Sequence, residues 1–201
     1  MTKYKALIFD FDGVLIDSMK LSLETVKKFD SSVTEQEFSE MFFGNIYQNP
    51  KLSNIQDSHG EEFQKIFLEE TTKDHFFDFT KELIEDFSKE YKLFIVSSAP
   101  SFNIKKFLGY IECDVFFDEV LGVLEHRSKV EKFKMIFDKY DLNTKDCLFV
   151  TDTLGDIKEA NKVDLKSIGV TWGLHNIEIL TKGNPHKIVN NVEELIGEIK
   201  C

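Results

Sequence analysis

The chain has 201 residues, of which 42% are hydrophobic and 30% are charged. This composition predicts a soluble globular protein with one substantial core, and it excludes extended disorder. The formal net charge of −11 argues against nonspecific nucleic-acid binding, because such binding depends on cations that neutralise phosphates.

Three features bear on where the protein resides. No apolar run approaches the roughly 20 residues that a membrane-spanning helix needs, and the N-terminus does not resemble a signal peptide. Cys113, Cys147 and Cys201 are an odd number without paired spacing, so no disulfide framework is expected. The sequence therefore predicts a cytoplasmic protein without a membrane partner.

Short apolar runs alternate with helical patterns along the chain. Strands are predicted at 5–10, 91–97 and 146–151, and weaker ones at 115–120, 165–170 and 187–190. Helices are predicted near 78–90, 101–110, 128–140, 155–163 and 192–200. The alternation predicts an α/β, Rossmann-like fold with three layers, in which a parallel sheet lies between helices on both faces. Such sheets bind ligands beyond the carboxyl ends of their strands.

Residues 18–77 interrupt this alternation. The segment has helix-like stretches near 18–29, 34–43 and 60–72 and no convincing buried strand. We expect a small inserted α-helical cap here, with residues 1–17 and 78–201 forming the catalytic core. A cap at this position in the chain can act as a lid over the site. Residues 43–45 of the cap are a candidate loop for contact with a substrate.

Acidic residues follow two of the predicted strands. Asp10 and Asp12 lie on the same face of the first strand end, and Gly13 allows a sharp turn. Two solvated acids in a loop would give the same pattern. However, Asp152 and Asp156 follow another strand that ends at the same edge of the sheet. Four converging carboxylates are typical of an oxygen-ligand site for a hard cation, and Mg²⁺ is the ion we expect here.

Hydroxyl groups follow the strand at 91–97. Ser97 is in a position to donate a hydrogen bond to a phosphate oxygen, although strand-end serines are commonly turn residues. Ser98 is a candidate helix cap, with Pro100 opening the helix, and a second candidate for phosphate binding.

The helix predicted at 128–140 supplies a candidate cation. Ser128 and Glu131 have the spacing of a capping box, which puts Lys129 at the first helical position. A cation is unfavourable there because it opposes the helix dipole, and such a cost can signal function. Lys132 and Lys134 are interpreted as residues of the solvated face. Because the chain has a single arginine, a phosphate site must rely on lysine, backbone amides or a metal.

Taken together, these motifs identify a resemblance to the haloacid dehalogenase-like hydrolase superfamily. The matching branch is that of phosphoglycolate phosphatase and β-phosphoglucomutase, which has a helical cap. The resemblance covers the chain except the cap, which matches in position and helical character. Its segments are DFDGVLIDS at 10–18, IVSSAPS at 95–101, Lys129, FVTDTLGDIKEA at 149–160, IGVTWGLHN at 168–176 and VEELIGEI at 192–199.

The resemblance implies a magnesium-dependent phosphatase that acts on a small phosphorylated metabolite. Asp10 would be the nucleophile that forms an aspartyl-phosphate, and Asp12 would be the general acid and base. The Mg²⁺ ligands would be Asp10, the backbone carbonyl of Asp12 and Asp152. Asp156 would be a metal ligand or would support the ligands. Ser97, Ser98 and Lys129 would bind the phosphate.

Two departures from the family pattern concern the substrate. Thr151 stands where relatives have glycine or glutamate, so the glutamate-containing metal shell of β-phosphoglucomutase is absent. Val130 follows Lys129 where many phosphoglycolate phosphatases have proline.

Three alternatives remain at this point. A phosphomutase would use the same acids but return the phosphoryl group to a sugar. A receiver-like signalling module would also combine clustered acids, a hydroxyl and a lysine, but it would lack the inserted helices and the late acid pair. A catalytically idle relative is the third. The five histidines have no metal-ligand spacing and are interpreted as surface or structural residues.

Overall fold

The computed structural model describes residues 4–200, with residues 56 and 57 described by their backbone only. Cys201, one of the three cysteines considered above, lies outside this range, whereas Cys113 and Cys147 are buried free thiols. In the described part of the chain, no helix is both long enough and apolar enough to cross a membrane.

Six parallel strands form one sheet in the order β3-β2-β1-β4-β5-β6. The strands are β1 (Ala6–Phe9), β2 (Lys92–Val96), β3 (Glu119–Leu121), β4 (Cys147–Thr151), β5 (Ser167–Val170) and β6 (Lys187–Val189). All four residues of β1 and all five of β4 are buried. Strands covered on both faces lose their polar alternation, and this explains why they were visible in the sequence as continuous apolar runs.

Nine α-helices accompany the sheet within residues 4–200. They are α1 (Met19–Phe29), α2 (Glu35–Glu40), α3 (Pro50–Glu70), α4 (Thr80–Phe87), α5 (Ser101–Gly109), α6 (Lys129–Tyr140), α7 (Leu154–Asn161), α8 (Ile177–Thr181) and α9 (Val192–Lys200). Short 3₁₀ helices lie at Ile46–Gln48, Lys73–His75, Asp114–Phe116 and Thr144–Asp146.

Two hydrophobic clusters cover the two faces of the sheet. Leu7 and Phe9 of β1 pack in a cluster with side chains of α4, α5 and α9. Ala6 and Ile8 of the same strand pack on the opposite face with side chains of α6 and α7. The predicted three-layer Rossmann-like fold is therefore confirmed.

Helices α1 to α3 lie between β1 and β2 in the chain and have a hydrophobic cluster of their own, which includes Val26, Phe38 and Leu52. The start of α3 departs from the sequence prediction by ten residues. The helix begins at Pro50, where the Asn49 side chain accepts hydrogen bonds from the backbone N–H groups of Lys51 and Leu52. A non-helical backbone conformation at His59 kinks α3 near the predicted start. The division into a core and a cap at 18–77 stays a prediction.

Candidate active site

Strand ends and the start of α6 bring two carboxylates and an ammonium into contact. Asp10 directly follows β1, Asp156 lies in the first turn of α7, and Lys129 is the first residue of α6. The Nζ atom of Lys129 is 2.7 Å from Oδ2 of Asp10 and 2.7 Å from Oδ2 of Asp156. Thr151 Oγ1 also donates to Asp156 Oδ2 at 2.8 Å. Lys129 is 2% exposed, so this ion pair is shielded from solvent screening.

The protonation preferences of these groups follow from burial and from Lys129. Burial raises the pKa of Asp10, against the opposing effect of Lys129. Burial also disfavours ionised Asp156, but Lys129 and several hydrogen bonds outweigh it and lower the pKa of that carboxyl. For Lys129, the two carboxylates outweigh burial and raise the pKa, so the ammonium is held in its charged form.

Asp152 lies at the end of β4 with an unsatisfied oxygen. Its Oδ2 accepts a hydrogen bond from Leu174 N–H at 2.8 Å, whereas its buried Oδ1 has no hydrogen-bond partner. Burial raises the pKa of Asp152 to about 7. Gly13, at φ +74°, packs so closely that a Cβ there would be 2.0 Å from Asp152 Oδ2. Glycine at this turn therefore allows the loop after β1 to approach the acid.

Asp12 is partly exposed and lines a cavity together with Asp10 and Asp152. Its Oδ1 accepts a hydrogen bond from Ser18 Oγ at 2.6 Å. The surrounding protein raises the pKa of Asp12 through desolvation, and the bond from Ser18 opposes that shift.

The geometry limits the set of residues that could hold a metal. No group of three or more histidine, cysteine, aspartate or glutamate side chains within residues 4–200 is arranged to hold an ion. A ligand set of two carboxylates and one backbone carbonyl does not require such a group. The partnerless Oδ1 of Asp152, in a cavity that Asp10 and Asp12 also line, fits a hard cation, because oxygen is the ligand that Mg²⁺ prefers.

The loop after β2 holds Ser97 and Ser98 against the same cavity. Ser97 is buried, and its Oγ accepts a hydrogen bond from Ala99 N–H at 3.0 Å. The carbonyl of Ser98 accepts a hydrogen bond from Tyr47 OH at 2.6 Å. The prediction of Ser98 as a helix cap is wrong, because α5 begins at Ser101 and Pro100 is the capping residue.

The interpretation of Lys132 as a solvated residue is also wrong. Its side chain is fully buried, and Nζ donates hydrogen bonds to the carbonyls of Ser97 and Gly122 at 2.5 and 3.3 Å. These carbonyls belong to the segments that follow β2 and β3, so Lys132 joins two strand ends beneath the site. Lys134, by contrast, is exposed and pairs with Glu131 at 2.8 Å, as a solvated-face residue should.

Lys132 gives the folded state a distinct pH dependence. Burial lowers the pKa of Lys132 from 10.5 to about 8. Between these values the unfolded chain binds the proton and the folded chain does not, so stability rises with pH. We expect the stability advantage of the wild type over Lys132→Met to grow by about 2 kcal/mol between about pH 7.5 and about pH 9.5. Urea unfolding of both proteins measures this difference, and parallel pH dependences would contradict it.

The predicted capping box at the start of α6 is wrong as well. Ser128 makes no side-chain capping bond to the N3 N–H. Instead, Glu159 of α7 supplies the acceptor, and its Oε1 receives hydrogen bonds from Lys129 N–H and Ser128 Oγ, each at 3.2 Å. A carboxylate from another helix thus caps α6 and offsets the cost of a lysine at its first position.

The segment between α2 and α3 closes over the site through direct hydrogen bonds. Two of its carbonyls accept hydrogen bonds from α7: Phe42 O from Gly155 N–H at 2.8 Å and Phe43 O from Lys158 Nζ at 2.9 Å. Two of its side chains donate hydrogen bonds to the core: Tyr47 OH to Ser98 O at 2.6 Å and Asn45 Nδ2 to Glu159 Oε1 at 3.1 Å. Of the predicted contact loop 43–45, Gly44 lines the cavity, whereas Phe43 packs its ring against His175. The buried His175 is structural, because its ring accepts Leu154 N–H and contacts Ser39 O.

Gly155 marks the closest approach of this segment to α7. A Cβ at this position would lie 2.3 Å from Gly44 O and 2.8 Å from Phe42 O. We expect Gly155→Ala to lower kcat/KM about tenfold or more, because the loop must move off the site, and to cost about 1–3 kcal/mol of stability. Gly197→Ala is the matched control, since nothing lies within 4 Å of its added methyl group and a helical alanine is favoured. Equal kinetics for both variants would contradict this close packing.

Below the closed segment lies a cavity of about 100 Å³. All the predicted site residues line it: Asp10, Asp12, Ser97, Ser98, Lys129, Asp152 and Asp156. Three further residues that support them had not been singled out for such a role: Lys132, Thr151 and Glu159. Of these three, only the role of Glu159 is indicated by the nearby sequence, because Glu159 lies three residues after Asp156 and therefore on the same face of the helix.

Comparisons with known proteins identify the family of this chain. A family model described as haloacid dehalogenase-like hydrolase matches residues 7–170. The chain is similar to pyrophosphatase PpaX of Listeria monocytogenes serotype 4a, at 24% identity over 98% of this chain and 97% of that protein. It is also similar to phosphoglycolate phosphatase of Vibrio parahaemolyticus, at 21% identity over 96% and 94% of the two chains.

A solved structure shares the fold. It is a haloacid dehalogenase-like family hydrolase, SP0104 from Streptococcus pneumoniae, with a TM-score of 0.77 and 19% identity. The match covers 98% of this chain and 99% of that one.

Proposed function

This chain belongs to the haloacid dehalogenase-like hydrolase family, and we propose that it is a magnesium-dependent phosphatase that hydrolyses a small phosphate monoester through an aspartyl-phosphate. The observation that carries the proposal is the contact of buried Lys129 with Asp10 and Asp156 in a cavity that Ser97 also lines. A carboxylate beside a fixed cation and a hydroxyl is suited to receive a phosphoryl group.

Asp10 is the proposed nucleophile. One of its oxygens attacks phosphorus, the bond from phosphorus to the leaving oxygen breaks, and an acyl phosphate forms on Asp10. The hydrogen bond from Phe11 N–H to Oδ1, at 2.8 Å, orients the carboxylate. Asp12 gives a proton to the leaving oxygen and then removes one from the water that attacks the acyl phosphate. The bond from Ser18 fixes the carboxyl of Asp12 for both steps.

Lys129 and Ser97 bind the transferring phosphoryl oxygens in this proposal, with Ser98 in the same loop. Asp156 accepts hydrogen bonds from both Lys129 and Thr151. This arrangement favours the supporting role for Asp156 over direct metal ligation. Charge neutralisation and positioning are the main requirements of phosphoryl transfer, and these residues supply both.

Asp10, the Asp12 backbone carbonyl and Asp152 would hold the metal. The Asp152 Oδ1 atom, buried without a partner, supports this assignment, because such an oxygen is costly to bury unless something binds it. When bound, Mg²⁺ would neutralise charge between the carboxylates and the incoming phosphate.

A direct test is phosphate release from acetyl phosphate with Mg²⁺ and after EDTA treatment. We expect turnover that EDTA abolishes and that added Mg²⁺ restores. Turnover that is equal in EDTA would contradict magnesium dependence, and no turnover of small esters would favour the catalytically idle relative.

The same preparation distinguishes the phosphomutase alternative. A mutase would isomerise a sugar monophosphate faster than it releases phosphate from the matching sugar bisphosphate. Two observations argue against the receiver-like module: the family match extends over residues 7–170, and four α-helices, α1 to α4, lie between β1 and β2.

A further inference from the structure

The cavity has a sharp division between a charged wall and an apolar wall. The charged wall is formed by residues after the strands and at the starts of α6 and α7. Among the described side chains, they supply all the ionisable groups that line the cavity, namely four aspartates and Lys129. The opposite wall, formed by α1, α2, α3 and the segment between the last two, supplies eight apolar side chains. Among them are Met19, Val26, Phe38, Phe42, Leu52 and Phe67.

Among the side chains that the structure describes, only Ser22 and Gln64 are polar on that apolar wall. Neither is a cation, and the Oε1 atom of Gln64 already accepts a hydrogen bond from Asn103 Nδ2 at 3.0 Å. The cations Lys65 and Arg127 line a different groove. Gln64 lines both that groove and the cavity, and Tyr47 of the groove donates a hydrogen bond to the carbonyl of Ser98, which lines the cavity.

From this division we infer that the substrate is the monophosphate ester of a small, uncharged alcohol with a mainly apolar carbon skeleton. The inference rests on the proposed function, because it identifies the apolar wall as the surface that faces the leaving group. A cavity of about 100 Å³ is small beside typical ligand pockets, which indicates a short skeleton.

The charged side chains that line the cavity indicate the same class of substrate. In the described part of the chain, Lys129 is the sole cation that lines the cavity, and Asp10 and Asp156 already engage it. A carboxylate or a second phosphate on the leaving group would have to be desolvated against a mainly apolar wall without a cationic partner. The names of the relatives, a pyrophosphatase and a phosphoglycolate phosphatase, therefore do not transfer to this chain.

A matched pair of esters tests the inference in the presence of Mg²⁺. Phosphoglycolate and isobutyl phosphate have leaving groups of similar shape, but only the first carries a carboxylate. We expect kcat/KM for isobutyl phosphate to be at least about tenfold higher, equivalent to about 1.4 kcal/mol, and pyrophosphate to be at least as poor as phosphoglycolate. A smaller ratio, or preference for either anionic compound, would overturn the inference.

Acetyl phosphate separates this failure from failure of the proposed function. If acetyl phosphate is hydrolysed and phosphoglycolate is preferred over isobutyl phosphate, only the inference fails. If acetyl phosphate and both esters are inert, the proposed function fails, and the inference with it.

A charge added to the apolar wall provides a second test. Met19→Lys keeps the length of the side chain and brings an ammonium to the wall, and Met19→Gln is the polar, uncharged control. We expect the lysine variant to raise the ratio of phosphoglycolate to isobutyl phosphate turnover at least about tenfold over the glutamine variant. Equal ratios would show that this wall does not face the leaving group and would overturn the inference.

Discussion

Replacement of Lys129 with methionine is expected to slow turnover strongly and to destabilise the fold. The ammonium contacts Asp10 and Asp156 at 2.7 Å and is almost fully buried. Its removal leaves two buried carboxylates without their cation, which costs about 3–5 kcal/mol in comparable buried pairs. Turnover should fall by at least about 10²-fold, as for the loss of one preorganised donor to a developing charge.

Urea unfolding in EDTA, together with kcat for acetyl phosphate with Mg²⁺, measures both effects. Lys134→Met is the matched control on the same helix, because Lys134 is exposed and its ion pair with Glu131 should contribute less than about 1 kcal/mol. Asp156→Asn combined with Lys129→Met should recover part of the lost stability. Equal stability of the Lys129 and Lys134 variants would contradict the buried ion-pair network.

The Asp10→Asn variant is expected to lose activity without losing stability. The amide oxygen can still accept the hydrogen bond from Phe11 N–H, but an amide cannot form the acyl phosphate. A fall in kcat of at least about 10⁴-fold is expected for the loss of a nucleophile. Because burial and the nearby Asp156 and Asp152 disfavour ionised Asp10, a neutral side chain there should leave the free energy of unfolding unchanged or raise it.

The exposed Asp17 is the control for this substitution, since Asp17→Asn should change neither quantity. We expect both Asp10→Asn and Lys129→Met to lose activity, but only Lys129→Met to lose stability. This difference would distinguish the proposed nucleophile from the cation beside it. Retained turnover in Asp10→Asn would remove Asp10 from its proposed role.

The sheet could be predicted from the sequence because its central strands are buried on both faces. Runs such as those in β1 and β4 have no polar alternation and end at acids, so both the strands and the edge of the site were visible. The convergence of Asp10 with Asp156 also followed, since parallel strands in one sheet end at one edge. The early start of α3 was missed because its first turns lack a clear apolar stripe, although Asn49 and Pro50 are a start signal.

The supporting residues could not be predicted because their partners are distant in sequence. Nothing near Lys132 indicates that its ammonium reaches the carbonyls of Ser97 and Gly122. The capping box at Ser128 failed for a similar reason, because Glu159 competes successfully for the same N-terminus. Local patterns identified the groups proposed for chemistry, while tertiary contacts decided which residues hold them in place.

The most direct test of the account is to find where the phosphoryl group resides during turnover. Asp12→Asn should slow hydrolysis of the acyl phosphate, while acetyl phosphate needs little help from an acid to leave. Acid-quenched samples of this variant with Mg²⁺ can be digested and analysed by mass spectrometry. We expect one phosphoryl group on Asp10, and we expect it to be absent after EDTA treatment. A phosphoryl group on another residue, or phosphate release with none on the protein, would contradict it.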